Sequence, residues 1–239
     1  MIQFEHVTRT FGQKTAVDDA SFTGNEGCIT GFIGPNGAGK TTSIHMITGV
    51  LKPSEGTILL NGKNITTDPI EAKKQFVCVP DSPNLFSRLT GQEYISFMAD
   101  IFQVPEQERK EREERLLDLF ELKDAVNERM STYSHGMRQK ALIIAALVCD
   151  PDIWILDEPM TGLDPISSFH LKELMKEHAA KGKAVFFSTH VLEVAEKLCD
   201  KVILINQGKI VYEGTLQNLQ QMHEGKTLEE IFLLVTGRE

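Results

Sequence analysis

Apolar and polar positions change rhythm three times along this chain. At the start they alternate loosely. Ile2, Phe4 and the His6–Val7 pair step between polar neighbours until Gly12, and Val17 to Phe22 and Cys28 to Ile33 read as further strands. Thr57 to Leu60 followed by Asn61-Gly62 predicts a hairpin, because Asn-Gly readily supplies the positive φ angles of a tight turn. In the middle the rhythm becomes helical. Thr90 and Glu93 make a capping box in front of Tyr94 to Phe102, and Pro105 sits where a second helix opens, Glu106 to Leu122. On that helix Glu108/Arg112 and Glu111/Arg115 lie four apart, which reads as a solvated face with ion pairs one turn apart. In the last part short apolar runs take turns with helices. Ile153 to Leu156, Ala184 to Ser188 and Val202 to Asn206 predict strands. Ile166 to Ala180, closed by Lys181-Gly182, and Val191 to Leu198 predict helices. Thr227 with Glu230 caps a short final helix, Leu228 to Val235.

This order predicts an α/β fold with a mainly parallel sheet, an antiparallel β-rich beginning and an inserted helical segment. No internal repeat and no Pro/Gly/Ser linker divides the chain, so a single domain is expected over 1–239. Its core would take 1–80 and 141–226, its helical subdomain 81–140, and its short C-terminal helix 227–236.

Composition narrows the class. The 239 residues carry a formal net charge of -9, which argues against a nucleic-acid partner, since such proteins usually present a basic face to phosphates. The longest apolar run, Ala141 to Cys149, falls short of the roughly 20 residues of a membrane span. No signal-peptide pattern is visible in Met1 to Phe11, so a cytosolic chain is expected, any membrane attachment coming through a partner. Cys28, Cys78, Cys149 and Cys199 contain no CxxC pair and fit free thiols in a reducing compartment.

Two motifs carry chemistry. Gly34-Pro35-Asn36-Gly37-Ala38-Gly39-Lys40-Thr41, continued by Thr42, satisfies GxxxxGK[ST] after one predicted strand and before a helix through Ile44 and Ile47. Glycines let backbone N–H groups surround phosphate oxygens, and the helix N-terminus adds partial positive charge. Lys40 would reach the outer phosphates, and the Thr41 hydroxyl could ligate Mg²⁺. Asp157-Glu158 directly follows the run Ile153 to Leu156, at the carboxyl end of a strand where such sheets bind ligands. Asp157 suits a metal-holding role, and Glu158 that of a general base on water.

With these motifs in order, the chain resembles the nucleotide-binding domain of ABC transporters over nearly its whole length. Tyr133-Ser134-His135-Gly136-Met137-Arg138-Gln139-Lys140 resembles the ABC signature, Thr161-Gly162-Leu163-Asp164 the D-loop, and His190 the switch histidine. Phe11 stands where the family places an aromatic that stacks on adenine. The resemblance implies a P-loop NTPase fold with a RecA-like core, and ATP and Mg²⁺ as cofactors. It implies catalytic roles for Glu158 and His190, and nucleotide contacts from Ser134, Gly136 and Asp164. It also implies a head-to-tail pair of copies, expected to be a homodimer, docked on a separate permease at the cytoplasmic membrane face and powering export. A soluble ABC ATPase acting on ribosomes or chromosomes is the alternative. A kinase or GTPase would leave the signature unexplained, and no NKxD guanine motif is present. Two positions depart from the family. Asp81 stands where a metal-binding glutamine is usual, so it is an expected metal neighbour, and His135 replaces a signature glycine.

Overall fold

The computed structural model describes residues 1–81, 86–223 and 225–237; of the predicted helical subdomain, positions 82–85 lie outside the described residues. The beginning is a four-stranded antiparallel sheet of β1 (Ile2–Phe11), β2 (Lys14–Gly24), β4 (Glu55–Leu60) and β5 (Lys63–Asn64), in the order β2-β1-β4-β5. The Asn61-Gly62 turn between β4 and β5 has φ values of 48 and 75, as its sequence predicts. The second sheet has six strands in the order β10-β9-β3-β8-β7-β6. Here β3 is Ile29–Ile33, β6 Phe76–Val79, β7 Ile153–Asp157, β8 Ala184–Thr189, β9 Lys201–Asn206 and β10 Lys209–Gly214. Every pairing in it is parallel except β10 against β9.

The helices are α1 (Lys40–Ile47), α2 (Pro69–Lys73), α3 (Gly91–Ile101), α4 (Glu106–Leu119), α5 (His135–Val148), α6 (Pro165–Ala180), α7 (Leu192–Leu198), α8 (Leu216–Met222) and α9 (Leu228–Thr236). Alternation along the buried strands divides the core. Ile153, Ile155 and Phe186 face α1 and the antiparallel sheet, whereas Trp154, Leu156 and Phe187 face α3 to α6. Phe22 joins the two sheets, stacking on Phe4 at 4.5 Å and on Phe186 at 5.9 Å between ring centroids. Helix α5 crosses position 140 without a break, and its apolar residues Ala141 to Ala146 are all buried.

Local signals behave as expected where they are self-contained. Both capping boxes form, at Thr90/Glu93 and at Thr227/Glu230. The α4 face differs from its reading. Glu108 does bind Arg112, but Arg115 reaches across to Glu177 on α6 at 2.9 Å instead of back to Glu111. Arg112 also donates to the Val148 carbonyl at the end of α5. The face is therefore partly packed, because long guanidinium side chains reach neighbouring elements as easily as the next turn. The strand β10 and the helices α2 and α8 add to the elements the sequence marked, and β5 completes the hairpin it predicted.

Candidate functional site

Strand β3 delivers the chain into the loop 34–39, and α1 carries it away. The loop is pressed against its surroundings: a Cβ on Gly34 would lie 2.4 Å from the Ile205 carbonyl, and Gly39 has a φ of 114 with only 2.8 Å to the Ala16 carbonyl. Only glycine tolerates both approaches. Helix α1 starts without a side-chain cap and without an acid in its first turn, so its first N–H groups remain available to a ligand anion. Lys40 is buried at 6% exposure. Its Nζ donates to the Gly34 carbonyl at 2.7 Å and sits 3.4 Å from Glu158 Oε1.

The two carboxylates arrive together at the end of β7, which runs parallel to β8. Asp157 ends β7, opposite Ser188 on β8. Ser188, fully buried, donates its hydroxyl to Asp157 and accepts the Glu158 N–H at 3.0 Å, so one serine holds both acidic residues. The Thr41 hydroxyl lies close enough to Asp157 to favour its charged form. Burial pushes the Asp157 carboxyl above its ordinary range, the Ser188 and Thr41 hydroxyls pull it back, and the charges of Asp81 and Glu158 raise it further. Glu158 occupies the left-handed region at φ 48, which turns its side chain back towards the loop. Its Oε2 meets His190 Nδ1 at 3.0 Å.

Lys40, Thr41, Thr42, Asn36, Gly37, Gly39, Asp81 and Glu158 share one cleft of about 500 Å³. Asp157, held by Ser188, directly precedes the cleft residue Glu158, and His190 reaches the cleft through Glu158. Gly34, Pro35 and Ala38 complete the loop, with the Ala38 N–H donating to the Pro35 carbonyl at 3.1 Å. Four expected site residues are placed elsewhere. Ser134 caps α5, accepting the Met137 N–H at 3.2 Å, and Gly136 lies against the Gly162 carbonyl; neither lines the cleft. Asp164 caps α6 and pairs with Lys140 at 2.9 Å, and the Ser167 N–H and Lys140 hold its carboxyl far below the usual range. Phe11 is outside the cleft lining too. Its ring is 45% exposed, and the Arg9 guanidinium lies 4.6 Å above it. Sequence reasoning missed Ser188, whose role follows from β7–β8 register. It also missed Lys14, Thr15, Ala16, Gln207 and Gly208, which wall the far end of the cleft; the Gln207-Gly208 turn between apolar runs was a usable signal.

A family model described as ABC transporter matches residues 17–161. The chain belongs to the ABC transporter ATP-binding family. It is 37% identical to the ABC transporter ATP-binding protein NatA of Bacillus subtilis (strain 168), over 99% of both chains. It is 34% identical to the linearmycin resistance ATP-binding protein LnrL of the same organism, over 99% of this chain and 76% of that one. Among solved structures it is similar to an ATP-binding subunit of an ABC transporter, with a TM-score of 0.95, 32% identity and 99% of each chain covered. It is also similar to a dimeric ATP-binding cassette in a post-hydrolysis state with ADP and Pi, with a TM-score of 0.80, 26% identity and 90% and 99% covered. This ABC protein is thus an ATPase with the P-loop NTPase fold, of the kind that serves transporters as their ATP-binding subunit.

Proposed function

We propose that two copies of this chain, bound to a separate permease at the cytoplasmic face of a membrane, hydrolyse ATP to drive export. The observation that carries this is a division within the chain. The phosphate loop, Glu158 and His190 meet at one cleft, while Ser134 and Gly136 stand outside it. A second copy turned head to tail would bring its Ser134 to the outer phosphate. The Ser134 hydroxyl and the open first turn of α5 would then address that phosphate together. A relative named for linearmycin resistance and two named for Nod factor export support the export direction. Among the described residues no helix is long and apolar enough to cross a membrane; in this reading the separate permease supplies the path for cargo.

Within one site each residue has a task. The N–H groups of 34–41 cradle the phosphates. Lys40 leaves the Gly34 carbonyl for the outer phosphate oxygens and so releases Glu158. Glu158 then takes the proton of the attacking water, with His190 steadying its other oxygen. The donors Thr41 and Asp157, with Asp81 nearby, are hard oxygens; Asp157 is raised first by burial and then by the charges of Asp81 and Glu158, and a small divalent cation there would relieve both. Mg²⁺, when bound, would neutralise charge on the phosphate oxygens. Asp81 is shorter than the glutamine usual at this position and charged, so it would act on the metal electrostatically. We assign 81–140 as the helical unit that passes the motion to the permease, with 1–80 and 141–226 as the core and 227–236 as a C-terminal helix.

The test is purification of a tagged chain from gently solubilised membranes of its own cell. A polytopic membrane protein in stoichiometric amount supports the reading. Recovery only with ribosomes or DNA-associated proteins overturns the transport role and leaves the ATPase standing.

A further inference from the structure

The cleft and the signature surface each carry a polar side chain that has no partner within the chain. In the cleft it is Asp81. Asp157 feels the charges of Asp81 and Glu158 and the hydroxyl of Thr41, so these groups stand together where Lys40 lies 3.4 Å from Glu158. Lys40 and His190 meet Glu158, and Ser188 holds Asp157. Among the described residues Asp81 has no hydrogen bond or ion pair, and the charge it acts on has its own sign. An approaching donor is therefore drawn to it by several negative groups at once. On the signature surface the side chain is His135, the first residue of α5, directly after Ser134. Its ring lies over Gly162. A Cβ there would collide with Cδ2 and come within 2.9 Å of Nε2, so only a glycine leaves room for the ring. The Cδ2 edge is thus held against the 161–164 turn, and Nδ1 is on the opposite edge of the imidazole. Among the described residues neither ring nitrogen has a hydrogen bond. Asp81 and His135 are also the two positions at which this chain departs from the ABC pattern, an acid for a glutamine and an imidazole for a glycine.

Resting on the two-copy reading, we propose that His135 of one copy donates a hydrogen bond to the Asp81 carboxylate of the other. With Ser134 at the outer phosphate, His135, one residue on at the same helix end, arrives at the part of the opposing cleft where Glu158 and Asp81 stand. An imidazole has an N–H to give in either protonation state, and an ionised carboxylate only accepts. Two-fold symmetry repeats the contact, so each pair of copies makes it twice. The two departures from the family are then one adaptation, an acid added to one face and a donor added to the face that meets it. The contact also selects its partner. A related subunit with the usual glycine and glutamine offers neither member, so a second copy of this chain is preferred.

Sedimentation of the full chain carrying Glu158→Gln, with ATP present, tests this, because blocked hydrolysis leaves the pair closed. In that chain His135→Ala should weaken pairing at least about tenfold, as expected for two symmetric hydrogen bonds to charged groups. In a chain that also carries Asp81→Ala, the same His135 substitution should cost less than about twofold, since its partner is already gone. Both side chains are exposed, so neither substitution opens the core. A loss from His135→Ala that is equal with and without Asp81, or no loss at all, overturns the contact and leaves the two-copy reading standing. A Glu158→Gln chain that binds ATP and never pairs overturns both.

Discussion

Glu158 makes three contacts that a static structural glutamate would not need: its N–H to Ser188, one carboxylate oxygen near Lys40 and the other on His190. If it is the base, Glu158→Gln keeps shape and bonds but loses the proton acceptor. ATP affinity should stay close to native while steady-state hydrolysis falls by at least about 100-fold. A variant that turns over at the native rate removes Glu158 from the chemistry. A different residue governs acid stability. His178 on α6 is 3% exposed, its Nε2 has no partner among the described residues, and its ring lies edge-on to Trp154 at 5.7 Å. Burial, aided by the Lys183 charge, lowers its pKa to about 4. Between the ordinary value of 6.5 and about 4 the unfolded chain takes up a proton that the folded chain refuses. Stability is therefore full above that window and lost as the pH falls through it, by up to about 3 kcal/mol. His178→Phe should flatten that loss in urea titrations followed by the fluorescence of Trp154. Parallel pH profiles for the two proteins would rule the mechanism out.

At the scale of elements, the signature helix shows how a local signal can hide a second role. Ser134 caps α5, which a sequence reader also expects of any serine before a helix. Aspartate caps equally well but places a charge against a phosphate. Ser134→Asp should thus melt within about 1 kcal/mol of the native chain and yet abolish ATP-driven hydrolysis. A variant that folds and hydrolyses normally would reduce Ser134 to a cap. What was legible in the sequence divides along the same line. The phosphate loop, the Asn61-Gly62 turn and the capping boxes at Thr90 and Thr227 are closed by residues within a few positions of each other, and all form. Arg115 departs from the one-turn pairing because its partner, Glu177, is 62 positions away in sequence. Ser188 under Asp157, and Gln207 beside Lys14, depend on strand register and on a turn brought home by the sheet. Nothing in their immediate neighbours encodes either meeting.

For the whole molecule, the separation of Ser134 and Gly136 from the chain's own cleft is the main structural fact. Close packing within the chain explains why they do not move to it: a Cβ on Gly136 would lie 2.6 Å from the Gly162 carbonyl, and Lys140 ties α5 to Asp164. The signature and the 161–164 turn therefore form one surface, presented outwards as a unit. The acidic net charge of -9 opposes pairing of two identical chains at low salt, so pairing depends on local donors, the open first turn of α1 and the Ser134 end of α5, facing one shared phosphate. Two relatives that match over nearly their full length, NatA and EcsA, are ATP-binding proteins, and one solved neighbour is a dimer with ADP and Pi.

Mixing two inactive variants tests the shared site most directly. Lys40→Ala disables the phosphate loop, and Ser134→Asp disables the signature, so each homodimer has two broken sites. A mixed pair contains one intact site, formed by the native loop of one chain and the native signature of the other. ATP hydrolysis that is absent from each variant alone and returns on mixing, rising with the product of the two concentrations, is the predicted result. Two variants that stay inactive in every mixture, although each remains folded, would contradict a site built from two copies.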